Sequence, residues 1–181
     1  MGNEHQVIEA AEQCAFHEYG FLDLPEVKFL PTVRQICETC RHYNRSWACP
    51  PAIGDFAECK ARAQQFNTMM IFSKTYEVED SFDYEALEEG LADFRATVEK
   101  LNGLAKSFLP DFLLLSAEGC DVCEKCTYPD EPCLHPDRMF HSLEGYGFNV
   151  NKLAVKAGIS YNNGYDVVSF FGGLLFNMDE E

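Results

Sequence analysis

Between Tyr84 and Phe108 the residues Tyr84, Leu87, Leu91, Phe94, Val98, Leu101, Ala105 and Phe108 recur at three- and four-residue intervals. That period places them on one face of a long amphipathic helix. Asp80 or Ser81 can cap its start, and Pro110 cannot extend it. Glu85, Glu88 and Glu89 fall off the apolar stripe and form a solvated face. Residues 68–78 before the helix and 112–115 after it are apolar runs rich in β-favouring residues, and both predict buried strands. Strand, helix and strand then form a βαβ unit, with parallel strands and a right-handed crossover.

The rest of the pattern is shorter. Residues 4–18 predict a first amphipathic helix closed by Gly20, and residues 26–31 a short extended run. Residues 149–157 predict a helix ended by Gly158, and 166–176 a last strand. The expected fold class is α/β, a small, mostly parallel sheet flanked by helices with a cysteine-rich metal-binding lobe. At 181 residues the chain is read as a single domain, 1–181, in which two cysteine-rich segments, 37–59 and 120–147, stand out. Strand order is not contained in such a pattern.

Eight of the nine cysteines fall into two groups of four. Cys120, Cys123, Cys126 and Cys133 begin with an unbroken Cys-x2-Cys-x2-Cys run. Bacterial ferredoxins use this spacing to turn three sulfurs toward one [4Fe–4S] cluster, the fourth ligand arriving from elsewhere. Zinc sites more often separate two Cys-x2-Cys knuckles by a longer spacer, so zinc is the alternative metal. Cys37, Cys40, Cys49 and Cys59 form the second group, whose wider spacing fits zinc or iron equally well. Two groups of four match the ligand count of two clusters, each group serving its own centre. Cross-ligation is the competing arrangement, because Cys49 precedes Pro50 as the cross-ligating cysteine of two-cluster ferredoxins precedes a proline. Residues 1–10 are polar and acidic, without the basic and apolar regions of a secretory signal, and no segment is apolar over a membrane span. A cytoplasmic location follows as the expectation, in which clustered cysteines bind metal rather than form disulfides. Cys14 shares an apolar stripe with Val7 and Ala11 and reads as core.

The formal net charge of −16 leaves no basic surplus to displace counterions from phosphates, which argues against nucleic acid and against anionic membranes. It suits a redox protein partner with a basic patch. Against this background the loop Arg41, His42, Tyr43, Asn44, Arg45, Ser46, Trp47 is locally basic and aromatic. Cations beside an anionic thiolate cluster raise its potential, and the same loop can hold an anionic substrate or a partner's acidic patch. Arg138 is placed to neutralise Glu144 or to donate toward cluster sulfurs, and His135 to donate from outside the ligand set. Gly145 and Gly147 permit close backbone approach but lack the phosphate-binding spacing. No nucleophile elbow, His-Glu-x-x-His motif or P-loop occurs.

These residues resemble a known group. Cys37-x2-Cys40, the run Trp47-Ala48-Cys49-Pro50-Pro51, Cys59, the Cys120 to Cys133 set and the stretch from His135-Pro136 to Gly147 are similar to domain-of-unknown-function family 2284. Its members are described as predicted metal-binding (iron–sulfur) proteins, largely of anaerobic bacteria and archaea. The resemblance covers most of the chain from about residue 30 and implies metal or iron–sulfur binding without a reaction. Residues 126–147 are also similar to the cysteine-rich ends of ferredoxin-like activators of corrinoid methyltransferases, which implies a redox role by association only. Three functions stay open: a two-cluster electron carrier; an enzyme with an open iron site for an anionic or sulfur-containing substrate; and a zinc-binding interaction module.

Overall fold

Successive strand residues point to opposite faces of a sheet, and the run from Met69 to Phe72 is apolar at every position. Met69 and Ile71 enter one buried cluster, Met70 and Phe72 another, so this strand needs cover on both sides. The structure, a computed structural model, describes residues 2–80 and 82–179 and provides that cover. Helices α1 (Asn3–Cys14) and α4 (Tyr84–Ala105) pack on one face of the sheet. Helices α3 (Phe56–Ala63) and α5 (Val150–Ala157) pack on the other, and the short α2 (Pro31–Ile36) lies before the first cysteine segment. Phe94, Val98 and Leu101 of α4 are fully buried, each burial stabilising the fold by roughly 1.5–3 kcal/mol. Tyr84, at the head of the predicted stripe, is exposed.

The sheet corrects the expected topology. Its order is β1 (Glu18–Asp23), β2 (Thr68–Glu77), β5 (Val167–Phe176), β3 (Phe112–Ser116), β4 (His141–Ser142). Among the described residues three pairings are antiparallel and only β3 with β4 is parallel, so the sheet is mixed and mostly antiparallel, not mostly parallel. The last strand inserts between β2 and β3 and bonds antiparallel to both. The strands joined by α4 therefore run in the same direction but are not neighbours. A strand buried on both faces reads as a continuous apolar run whichever way its neighbour points, which is why the pattern misled.

Local signals hold more closely. Asn149 caps α5, its side chain accepting from the Lys152 N–H, and Gly158 ends it with φ 74°. The carboxylate of Asp83 caps α4 by accepting from the Ala86 N–H at 3.2 Å, where Asp80 or Ser81 was expected; Ser81 lies outside the described residues. The first helix stops earlier than expected, at Cys14 with Ala15 in the left-handed region, and Gly20 sits inside β1 rather than closing the helix. The expected cysteine-rich metal-binding lobe needs a second correction. Among the described residues no group of three or more His, Cys, Asp or Glu side chains closes to the spacing of one bound metal ion. The first cysteine segment is instead a loop that follows α2 and runs into α3, which carries Cys59, and the second is a loop that follows β3 and runs into β4.

Candidate metal centre

The first loop is folded back on itself by backbone hydrogen bonds. Cys40 N–H donates to the Cys37 carbonyl at 3.1 Å, Tyr43 N–H to Cys40 at 3.0 Å, and Asn44 N–H to Pro50 at 2.7 Å. As a result Cys37, Cys40 and Cys49 line one cavity of about 180 Å³, which Glu118, Ser142 and Glu144 complete. All four of Cys120, Cys123, Cys126 and Cys133 line a second cavity of about 170 Å³. Its other wall comes from the first loop: His42, Arg45, Ser46 and Trp47. Trp47 is held there by its Nε1–H, which donates to the Glu131 carbonyl at 3.0 Å, and by an edge-on contact with Tyr128.

The two cavities adjoin. His42 lines both. Gly119 makes the approach possible, since a Cβ there would lie 2.7 Å from Cγ of the His42 ring. Immediately before it, Glu118 has φ 60°, a left-handed conformation that bends the chain out of β3 toward Cys120. Arg95 of α4 ties the bend down, donating to the Gly119 carbonyl and pairing with Asp121. Sequence reasoning passed over Arg95, because one arginine on a helix flank carries no distinguishing signal.

Cys59 stands apart from the other seven clustered cysteines. It is fully buried in the core between α3 and the sheet and does not line the cavity of Cys37, Cys40 and Cys49. Its thiol lies 3.5 Å from the Ile53 carbonyl oxygen, and Arg34 Nη1 donates to its sulfur at 3.4 Å. Arg34 also donates to the carbonyls of Gly54 and Gly145, each at 2.6 Å, so it joins α2 to the stretch after β4. Arg62 donates to the Tyr146 hydroxyl, which lies 3.0 Å from Nδ1 of His141. Burial, with the Arg62 and Arg34 guanidiniums nearby, brings His141 down to about 4.

Several candidate residues take other places than expected. Arg138 bonds Glu99 of α4 through Nε at 3.0 Å, not Glu144. Arg41 donates to the His42 ring at 3.1 Å and lines neither thiol cavity. His135 does lie on the wall of the four-thiol cavity. Gly147, at φ 80°, brings the backbone against Leu30 and Phe56, where a Cβ would meet the Phe56 ring at 2.5 Å. Cys14 is core, buried between α1 and the sheet.

The donor chemistry fits a thiolate-bound metal group. Burial pushes the Cys37 thiol up to about 11 and raises Cys49 and Cys120 as well, so these thiols stay protonated until a cation displaces the protons. Thiolates select zinc, copper(I) and iron–sulfur clusters over oxygen-seeking ions. Ser46, 6% exposed on the wall of the four-thiol cavity, has a hydroxyl with no well-aligned hydrogen-bond partner among the described residues, although it lies close enough to the Cys49 sulfur to oppose the rise of that thiol. Were a metal group bound there, such a hydroxyl could donate to one of its ligating sulfurs.

Comparison with known families agrees with this chemistry. The profile of a family described as predicted metal-binding proteins, DUF2284, matches residues 20–176. The chain belongs to that family. The DUF2284 match takes in both cysteine loops and leaves out α1, so the shared part is the sheet with its two thiol cavities. No curated protein and no solved structure matches the chain. Among the described residues no helix of this DUF2284 protein is long and apolar enough to cross a membrane.

Proposed function

We propose that this DUF2284 protein is a cytoplasmic iron–sulfur protein that binds two [4Fe–4S] clusters and exchanges single electrons with a protein partner. The supporting observation is the division of seven thiols between two adjoining cavities that share His42 as a wall. Bound clusters supply reversible one-electron chemistry at potentials set by charge and hydrogen bonding. The chain's own residues shape the rest. Ser46 is placed to donate to sulfur, Arg45 puts a positive charge at the four-thiol wall, and the acidic body favours a basic partner.

One observation favours a second reading. Only three cysteines line the first cavity, and an iron without a protein thiolate can bind substrate. The protein would then be a cluster-dependent enzyme acting on an anionic or sulfur-containing molecule. Anaerobic purification with iron, sulfide and zinc analysis tests both readings. Roughly eight irons with matching acid-labile sulfide supports two clusters, and about four reduces the count to one. A colourless protein with stoichiometric zinc and no sulfide overturns the iron–sulfur assignment in favour of a zinc-binding interaction module.

A further inference from the structure

Cys120 and Val122 form part of a third wall, that of a cavity of about 270 Å³ between α4 and the carboxyl end of β3. Ala92 and Ala96, one turn apart on α4, keep the helix surface low there. The polar groups around this cavity are unevenly used. Arg95 is committed to the Gly119 carbonyl and to Asp121. Arg138 spends only Nε, on Glu99, and its two terminal nitrogens have no hydrogen-bond partner among the described residues. Ser116 is 5% exposed, and its hydroxyl has no hydrogen-bond partner among the described residues.

A buried hydroxyl without a partner costs on the order of 1–3 kcal/mol, and such a group in a folded protein calls for an explanation. Three hydroxyls share this state, but Ser46 lines the four-thiol cavity and Ser73 lines none of the cavities described. Ser116 lies on the wall to which Arg138, a half-exposed side chain, also contributes. Glu99 and Asp121 are matched by Arg138 and Arg95, so the cavity is close to neutral within a chain of net charge −16. A planar fork with two free N–H edges matches carboxylate and phosphate oxygens. The volume lies below the roughly 300–1,000 Å³ of drug-sized sites, which restricts the ligand to a few heavy atoms.

We propose that this cavity binds a small oxyanion, a carboxylate or a phosphate, held by the terminal nitrogens of Arg138 and by the Ser116 hydroxyl, beside the Cys120 wall of the four-thiol cavity. The site does not depend on which metal the thiols hold. Calorimetric titration of the metal-loaded protein with acetate, succinate and inorganic phosphate tests it, with tetramethylammonium chloride as the cationic control. One saturable site for an oxyanion and none for the control is expected, and the preferred probe separates a carboxylate from a phosphate source. R138Q, which removes the fork, and A96L, which fills the cavity from an exposed helix position, should each weaken binding at least tenfold, about 1.4 kcal/mol. Both should leave the metal content unchanged. S116A distinguishes a ligand contact from a structural one: the free protein should melt at the same or a higher temperature, while the oxyanion-induced rise in melting temperature shrinks. No binding up to about 10 mM probe overturns the proposal. So does binding that survives R138Q and A96L, or that is lost in R45Q but kept in R138Q, which would place the anion on the cysteine loop.

Discussion

Arg41 and Arg45 share a loop but face different neighbours. Arg45 lines the four-thiol cavity, whereas Arg41 reaches only the His42 ring. With the proposed cluster bound, a positive charge at the wall would lower the cost of adding an electron to an anionic centre, so R45Q should lower the reduction potential by tens of millivolts, where about 59 mV is tenfold for one electron. Its exposure permits screening, and the difference should shrink as salt rises. R41Q should move the potential less. Equal shifts in protein-film voltammetry would mean that the loop acts through its total charge rather than through its geometry. The cysteines separate in the same way. Cys49→Ala should cost metal, because Cys49 lines the cavity with Cys37 and Cys40. Cys59→Ala should keep the metal and lose about 1 kcal/mol of stability, because Cys59 is packed in the core. Iron lost from both variants would draw Cys59 into the ligand set.

At the scale of elements, glycine makes the clearest contrast. A Cβ at Gly119 would collide with the His42 ring that separates the two thiol cavities, and the bend at Glu118 already holds the backbone in a left-handed turn. Gly119→Ala should therefore destabilise by about 1–3 kcal/mol and lower metal content in both cavities. Among the described residues, nothing beyond its chain neighbours and the helix's own backbone lies within 4 Å of a Cβ added at Gly103, inside α4. Gly103→Ala should stabilise by about 0.5–1 kcal/mol through helix propensity alone, with metal content unchanged. Thermal melts and metal analysis of the two variants decide between these outcomes. Much at this scale was legible beforehand. The α4 stripe and the Gly158 stop follow from neighbours within one turn, whereas Asn149, read as the first residue of the last helix, is its cap.

For the whole molecule, His141 links pH to stability. Its ordinary value of 6.5 falls to about 4 in the fold, because burial and two guanidiniums, Arg62 and Arg34, oppose its charge. The unfolded chain therefore takes up a proton that the folded one refuses. The contribution is complete above about pH 6.5 and is lost as pH falls from there toward 4. By pH 5 the loss should reach about 2 kcal/mol. His141→Gln should flatten the dependence of denaturant midpoints between pH 7.5 and 5, and an NMR titration should find His141 neutral at pH 5.5. A ring that titrates near 6.5 would show that the Arg62–Tyr146–His141 contact is looser than the structure has it.

What the sequence determines by itself is local or compositional. Side-chain periodicity says which faces are buried, so the two long strands and α4 are readable, and the spacing of Cys120, Cys123 and Cys126 brings soft donors onto one loop. It does not say which backbone lies alongside. Every residue of these proline-free strands offers the same N–H and C=O to a neighbour, so the insertion of β5 between β2 and β3 was decided by packing over the whole sheet. The same holds for the thiols. Cys49 and Cys59 look alike as members of a spaced quartet, but Asp55 starts α3 with a capping box between them. That helix carries Cys59 into the core while the loop before it leaves Cys49 on the cavity wall. The wall that Arg45, Ser46 and Trp47 lend to the four downstream cysteines joins residues more than 70 positions apart, and only tertiary packing creates it.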